Sequence, residues 1–322
     1  MGNRKIFSRK IIALMMTAYI LLSSYTDCFA MKKKRMAVTS EDGHNISVLI
    51  YSPEKSSDQP VTGVLWIHGG GYITGMASMA GMLGMAPRLV KDHGCVVVSP
   101  EYRLGKKGRY PNALNDCYAA LKFMVTRADE LGIRKDQIFV GGESAGGGLC
   151  AALCMLARDR GEVNIAFQMP LYPMIDDRDT DSSRDNHNKV WNTRLNHYGW
   201  KTYLGDIYGT DEVPAYAAAA RQSDYSNLPP AYTFVCTGEP FYCETLSFVE
   251  NLRAAGVEVG LDVYEGLYHA FDMLQPKKEI SRIAIERFEK AFEDARQKRF
   301  ADKTVLRLHP DRQVSFPHRE LL

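Results

Sequence analysis

Long apolar runs are missing from this 322-residue chain. The longest apolar or small-residue stretch, Ile11 to Ser24, is short for a membrane span, which needs about 20 residues. An excess of one charge sign is missing too: 40 Lys and Arg stand against 38 Asp and Glu, a formal +2. Arg4, Lys5, Arg9 and Lys10 against Asp27 place that surplus within residues 1–30. The rest of the chain therefore offers no basic surface for nucleic acid. Cysteines are few, and none has the spacing of a zinc or haem site, so neither metal nor other cofactor is expected. Beyond Cys28 they are Cys95, Cys117, Cys150, Cys154, Cys236 and Cys243. An even count suits disulfides in an exported protein. Cys95 and Cys236 nevertheless lie in strand-like runs, and Cys150 and Cys154 sit four apart on a helical stretch, so packing in the core is their expected role. No internal repeat or low-complexity linker divides the chain, and its length suits one α/β domain.

What is present at the N-terminus reads as a secretory signal over residues 1–30. A basic start precedes the apolar stretch, and Cys28-Phe29-Ala30 offers small residues at a cleavage position. This predicts a secreted or cell-surface protein with no stable membrane partner after cleavage. The basic Met31-Lys32-Lys33-Lys34-Arg35 that follows is unfavourable for export. Initiation at Met31, giving a cytoplasmic protein, is the alternative.

Strand-like runs then alternate with helical segments: Ile46–Tyr51, Val64–Ile67, Cys95–Pro100, Gln137–Gly141, Ile165–Leu171, Tyr232–Cys236 and Val257–Tyr264. Leu114, Cys117, Leu121 and Met124 recur at helical spacing. Leu246, Val249 and Leu252 mark another helix, with Gly256 as its stop. Such alternation predicts a mostly parallel sheet covered by helices on both faces. Residues 176–226 break the pattern with a polar turn, Asp176 to Asp181, and then Val190-Trp191-Asn192, Tyr198-Gly199-Trp200 and Tyr203-Leu204. Residues 301–322 are polar and without period, and are expected to be disordered.

Two motifs carry the chemistry. Gly142-Glu143-Ser144-Ala145-Gly146 lies between a strand-like run and a helix-like run. A serine on such a sharp turn is exposed to a base and a substrate, and its flanking glycines keep side chains out of a crowded bend. His68-Gly69-Gly70-Gly71-Tyr72 follows another strand-like run. Consecutive glycines let backbone N–H groups converge on one point, as an oxyanion hole requires. A serine hydroxyl is a poor nucleophile at neutral pH and needs a base, which in turn needs an orienting acid.

With these motifs the chain resembles the hormone-sensitive-lipase-like branch of the α/β-hydrolase superfamily, and bacterial carboxylesterases in particular. Glu101-Tyr102-Arg103-Leu104, Leu171-Tyr172-Pro173 and Tyr268-His269-Ala270-Phe271 continue the match, which spans roughly residues 45 to 295. The resemblance implies an α/β-hydrolase domain over residues 31–300, with 176–226 as a small helical cap. Trp191 and Trp200 would either line its pocket or pack the cap on the sheet. It also implies the chain order serine, acid, histidine. His269 follows a strand-like run by a short loop and is the expected base; His187, His197, His309 and His318 lack a preceding strand. Glu239, in Thr237-Gly238-Glu239-Pro240, stands where the family usually has Asp, and its extra methylene asks the backbone to stand further from the histidine. Asp262, within a strand-like run, and Glu244, at a helix start, are the weaker candidates. The Ala145 N–H and, by resemblance, those of Gly70 and Gly71 form the oxyanion hole. The implied activity is hydrolysis of small-molecule esters of short acyl chains through an acyl-serine intermediate. Alternatives are an acetyl esterase acting on acetylated sugars or polysaccharide, and a non-catalytic small-molecule-binding relative.

Overall fold

The Val- and Ile-rich runs become strands because helices cover both of their faces. The computed structural model describes residues 31–55 and 57–301. Its eight strands are β1 (Met31–Thr39), β2 (Asn45–Pro53), β3 (Val61–Ile67), β4 (Val96–Pro100), β5 (Ile133–Glu143), β6 (Phe167–Leu171), β7 (Ala231–Cys236) and β8 (Val259–Tyr264). They form one sheet in the order β1-β2-β4-β3-β5-β6-β7-β8. β1 and β2 run antiparallel to their neighbours, and β3 to β8 pair in parallel. Every residue of β4 and β6 is buried, as expected where a sheet is covered on both sides.

Two apolar cores result. One lies under the helices Asn112–Thr126, Ala145–Arg160 and Tyr242–Ala254, and the other under Ala86–Lys91 and Glu279–Lys298. Leu114, Cys117, Leu121 and Met124 all point into the first, as their spacing predicts. In Tyr242–Ala254 it is Phe248, with Val249 and Leu252, that is fully buried, while Leu246 is half-exposed. Gly256 ends this helix at φ 76°, a left-handed turn open to glycine at low cost. All six cysteines among the described residues are free thiols, five of them buried.

β1 is a strand that the apolar pattern did not mark. Lys32, Lys33, Lys34 and Arg35 are exposed, so no alternation shows in the sequence. Pairing with β2 from Met31–Pro53 to Thr39–Asn45 fixes the segment instead. A row of lysines on an edge strand also blocks further strand addition. Three observed strands start later than their apolar runs: at Val96, Phe167 and Val259. The expected signal segment and all of the expected disordered tail except Ala301 lie outside the described residues.

The strand order reverses at β3, because β4 goes to one side of it and β5 to the other. Open α/β sheets bind ligands at this switch point, beyond the C-terminal strand ends. Register pairs Ile67 with Gly142, so the loop after β3 and the turn after β5 leave the sheet side by side. Between β6 and β7 the chain rises off the sheet, and its helix Thr193–Leu204 lies over the loop after β3.

Candidate active site

Ser144 stands on the bend between β5 and the helix Ala145–Arg160, at φ 59° and ψ −121°. An L-residue reaches this conformation only under constraint. Here the constraint is a set of hydrogen bonds. Ser144 N–H donates to the Leu171 carbonyl, and the Ser144 carbonyl accepts from Gly148 N–H and Met174 N–H, each at 3.0 Å. A Cβ on Gly146 would lie 2.1 Å from the Ile67 carbonyl oxygen, and one on Gly142 would lie 2.6 Å from it. Only glycine lets the bend press this closely on β3.

His269 follows β8 in the loop before the short helix Phe271–Leu274. Its Nε2 lies 2.9 Å from Ser144 Oγ. Its Nδ1 hydrogen-bonds Glu239 Oε2. With the proton on Nδ1, Nε2 is left to accept from the serine hydroxyl. Glu239 sits in the turn after β7, fully buried, and its Oε1 accepts from Cys236 N–H at 2.8 Å. Tyr172 and Phe241 stand edge-on to the imidazole from two sides, both with centroids at 5.0 Å. The ring is thereby held in one orientation.

The loop after β3 reaches the same point. Gly70 and Gly71 take φ 120° and 62°, and neither N–H donates to a backbone carbonyl. The first-turn N–H of Ala145 has no intrahelical partner either. His68 shapes this loop from behind. Its ring stacks on Tyr102 at 4.3 Å, and its Nδ1 lies 2.8 Å from the Gly69 carbonyl oxygen. Burial lowers the His68 pKa to about 4, so the imidazole is neutral and Nδ1–H donates.

The other candidates are elsewhere. Asp262, on β8, accepts from Tyr232 Oη at 2.7 Å and pairs with Arg287 of the helix Glu279–Lys298. Glu244 is buried in the first turn of Tyr242–Ala254, where it accepts from Ile175 N–H at 2.8 Å. His187 and His197 pair with Asp185 and Asp179. His309 and His318 lie outside the described residues.

A family model for the alpha/beta hydrolase fold matches residues 64–273. The chain belongs to this α/β-hydrolase family. The match lies in the hormone-sensitive-lipase-like branch that the two motifs resemble. Esterase LipI of Mycobacterium tuberculosis is 31% identical over 231 residues, covering 70% of this chain and 71% of that protein. Ethyl acetate hydrolase of Pseudomonas putida is 28% identical over 239 residues, covering 73% and 74%. Among solved structures, a bacterial heroin esterase superposes with a TM-score of 0.81 at 31% identity, covering 88% of this chain and 90% of that one.

In this α/β-hydrolase a second group of polar side chains backs the bend, and the sequence reading missed it. Glu143 is buried beside Ser144, and both of its carboxylate oxygens lie 2.9 Å from the Trp66 indole nitrogen. Asp272, buried three residues after His269, accepts from Tyr172 Oη at 3.4 Å. Burial, reinforced by the charge of Asp272, raises the Glu143 pKa to about 8. Burial likewise raises Asp272 to about 7. The available signal was a charged residue at a position otherwise reserved for apolar packing, immediately before the serine.

Proposed function

We propose that this α/β-hydrolase cleaves carboxylic esters through an acyl-serine intermediate. One observation carries the proposal: Ser144 Oγ lies 2.9 Å from His269 Nε2 while the other ring nitrogen is held by buried Glu239. The esterase names of its relatives support the same reading. Ser144 Oγ attacks the ester carbonyl carbon as His269 Nε2 takes its proton. Negative charge then develops on the carbonyl oxygen, toward the N–H groups of Gly70, Gly71 and Ala145. Collapse expels the alcohol, which takes the proton from His269. Water attacks the acyl-serine in the same way, and the acid leaves. Glu239 keeps Nδ1 protonated and offsets the imidazolium charge during both steps. Short acyl chains are the proposed substrates. Export, read from the pattern of residues 1–30, is part of the same proposal.

The test uses p-nitrophenyl acetate with the chain and its Ser144→Ala variant, alongside a fluorophosphonate probe. The parent should turn over and label, and the variant should do neither while keeping its circular dichroism spectrum. Retained activity in the variant, or labelling at another residue, would overturn the assignment.

A further inference from the structure

We infer that Trp191 is the residue that limits the acyl chain, and that the substrates are esters of very short acids such as acetate. The inference rests on the ester-hydrolase reading and deepens it.

Trp191 belongs to the excursion between β6 and β7, and only 4% of it is exposed. Its indole lies on the loop after β3. A Cβ built on Gly71 would fall 2.1 Å from Trp191 Cη2 and 2.8 Å from Cζ2. The ring therefore fills the space next to Gly71, whose N–H the ester-hydrolase reading assigns to the oxyanion. On its other side the indole faces Phe241, with ring centroids 6.5 Å apart, and Phe241 stands edge-on to His269. Trp191 thus spans the distance from the oxyanion loop to the wall of the imidazole.

Several contacts hold the ring there. Nε1–H donates to Asn196 Oδ1 at 3.3 Å. Asn186 Nδ2 and Asn188 Nδ2 donate to the Gly238 carbonyl at 3.3 and 3.1 Å, which ties the segment before Trp191 to the turn bearing Glu239. In the helix Thr193–Leu204, Gly199 lets the helix press on the loop after β3, with the indole in contact beside it. A Cβ there would stand 2.9 Å from the Gly71 carbonyl oxygen and 3.4 Å from Trp191 Cζ2.

The tetrahedral intermediate settles what this does. Of the four groups on the reacting carbon, one is Ser144 Oγ. The oxyanion must face the N–H groups of Gly70 and Gly71, and the leaving oxygen must face His269 Nε2. The acyl chain takes the direction that remains, bounded by the oxyanion loop and Phe241, and the indole closes it. A longer chain must displace a ring anchored on both flanks. Trp200 differs: it is fully buried, 5.4 Å from the ring of Tyr72 and 6.2 Å from that of Tyr203, and serves the core.

The experiment compares kcat/KM on p-nitrophenyl acetate and p-nitrophenyl octanoate for the parent, Trp191→Ala, Trp191→Phe and Trp200→Phe. Enzyme concentration is set by fluorophosphonate titration, so that unfolded material is not counted. The parent should prefer acetate. Trp191→Ala should raise the octanoate-to-acetate ratio about tenfold or more, as removal of a wall that rejects methylenes does, with Trp191→Phe in between. Trp200→Phe should lower the melting temperature and leave the ratio alone. An unchanged ratio in the folded fraction of both Trp191 variants, or a parent that prefers octanoate, would overturn the inference. A parent that neither hydrolyses any ester nor labels would instead overturn the ester-hydrolase reading beneath it.

Discussion

The turn after β7 and the last residue of β5 each place a buried glutamate beside the Ser144–His269 pair, and the two glutamates have different environments. Glu239 is fully buried and Glu143 nearly so, at 5% exposure. Glu239 faces the His269 imidazole, which can become a cation, and also accepts from a backbone N–H. Glu143 meets the neutral indole N–H of Trp66, and a second acid, Asp272, lies close enough to oppose its charge. Burial disfavours a carboxylate wherever no counter-charge answers it. At equal depth, then, the two glutamates differ in partner: an imidazole and a backbone N–H for Glu239, an indole N–H and a neighbouring acid for Glu143.

Removing the negative charge at each site should separate the two roles most sharply. Glu239→Gln should lower turnover by about 10³–10⁴, because the amide holds the wrong histidine tautomer. Glu143→Gln should stay within about tenfold of the parent, since its amide oxygen still accepts from Trp66, and tenfold corresponds to only about 1.4 kcal/mol of barrier. Asp262→Asn should leave turnover unchanged. Steady-state kinetics on p-nitrophenyl acetate at pH 7.5 measure all three. Near-parental turnover in Glu239→Gln together with a dead Asp262→Asn would transfer the acid role to Asp262.

A smaller effect should follow from taking away the side-chain donor that Glu143 has in Trp66. Trp66→Phe keeps most of the ring volume and strands the carboxyl. Denaturant unfolding should show a loss of about 1–3 kcal/mol, the cost of an unsatisfied buried group. The Ser144 site should still label with a fluorophosphonate. An unchanged denaturation midpoint would mean that Glu143 finds another partner.

A pH slope tests the same pair of acids. Glu143 and Asp272 are raised to about 8 and about 7, so between the unfolded carboxylate range and those values the folded chain binds more protons than the unfolded one. Their contribution to stability is whole at low pH and is lost as pH rises through about 7 to 8. Glu143→Gln removes one of these protons from the balance. Its melting temperature relative to the parent should therefore climb from pH 5 to about pH 8 and level off above it. A difference that stays constant across that range would show that Glu143 is ionised in the fold.

Legibility in the sequence followed local constraint. Central strands such as β4 and β6 were visible because two covered faces demand continuous apolar runs. β1 was hidden because its side chains are exposed and only its backbone, paired with β2, makes it a strand. Glu239 stood out as a candidate from its place after a strand and before Pro240. Trp66, Glu143, Tyr172 and Asp272 were not readable as a group, because nothing local links residues on β3, β5, the loop after β6 and the helix after His269.

The residue order by itself determined the bend and the glycine loop. Both depend on backbone conformations that few residues tolerate, and such preferences act between neighbours in the chain. The choice between Glu239 and Asp262 belonged to the tertiary structure. Both follow Ser144 and precede His269, and only the sheet order and the turn after β7 bring one of them to Nδ1 while β8 turns the other toward Tyr232 and Arg287. The same holds for Trp191 and Trp200, alike in the sequence. One packs on the loop after β3 against Gly71, and the other is sealed in the core. Contacts between segments distant in the chain are set by packing, and packing exists only once the whole chain has folded.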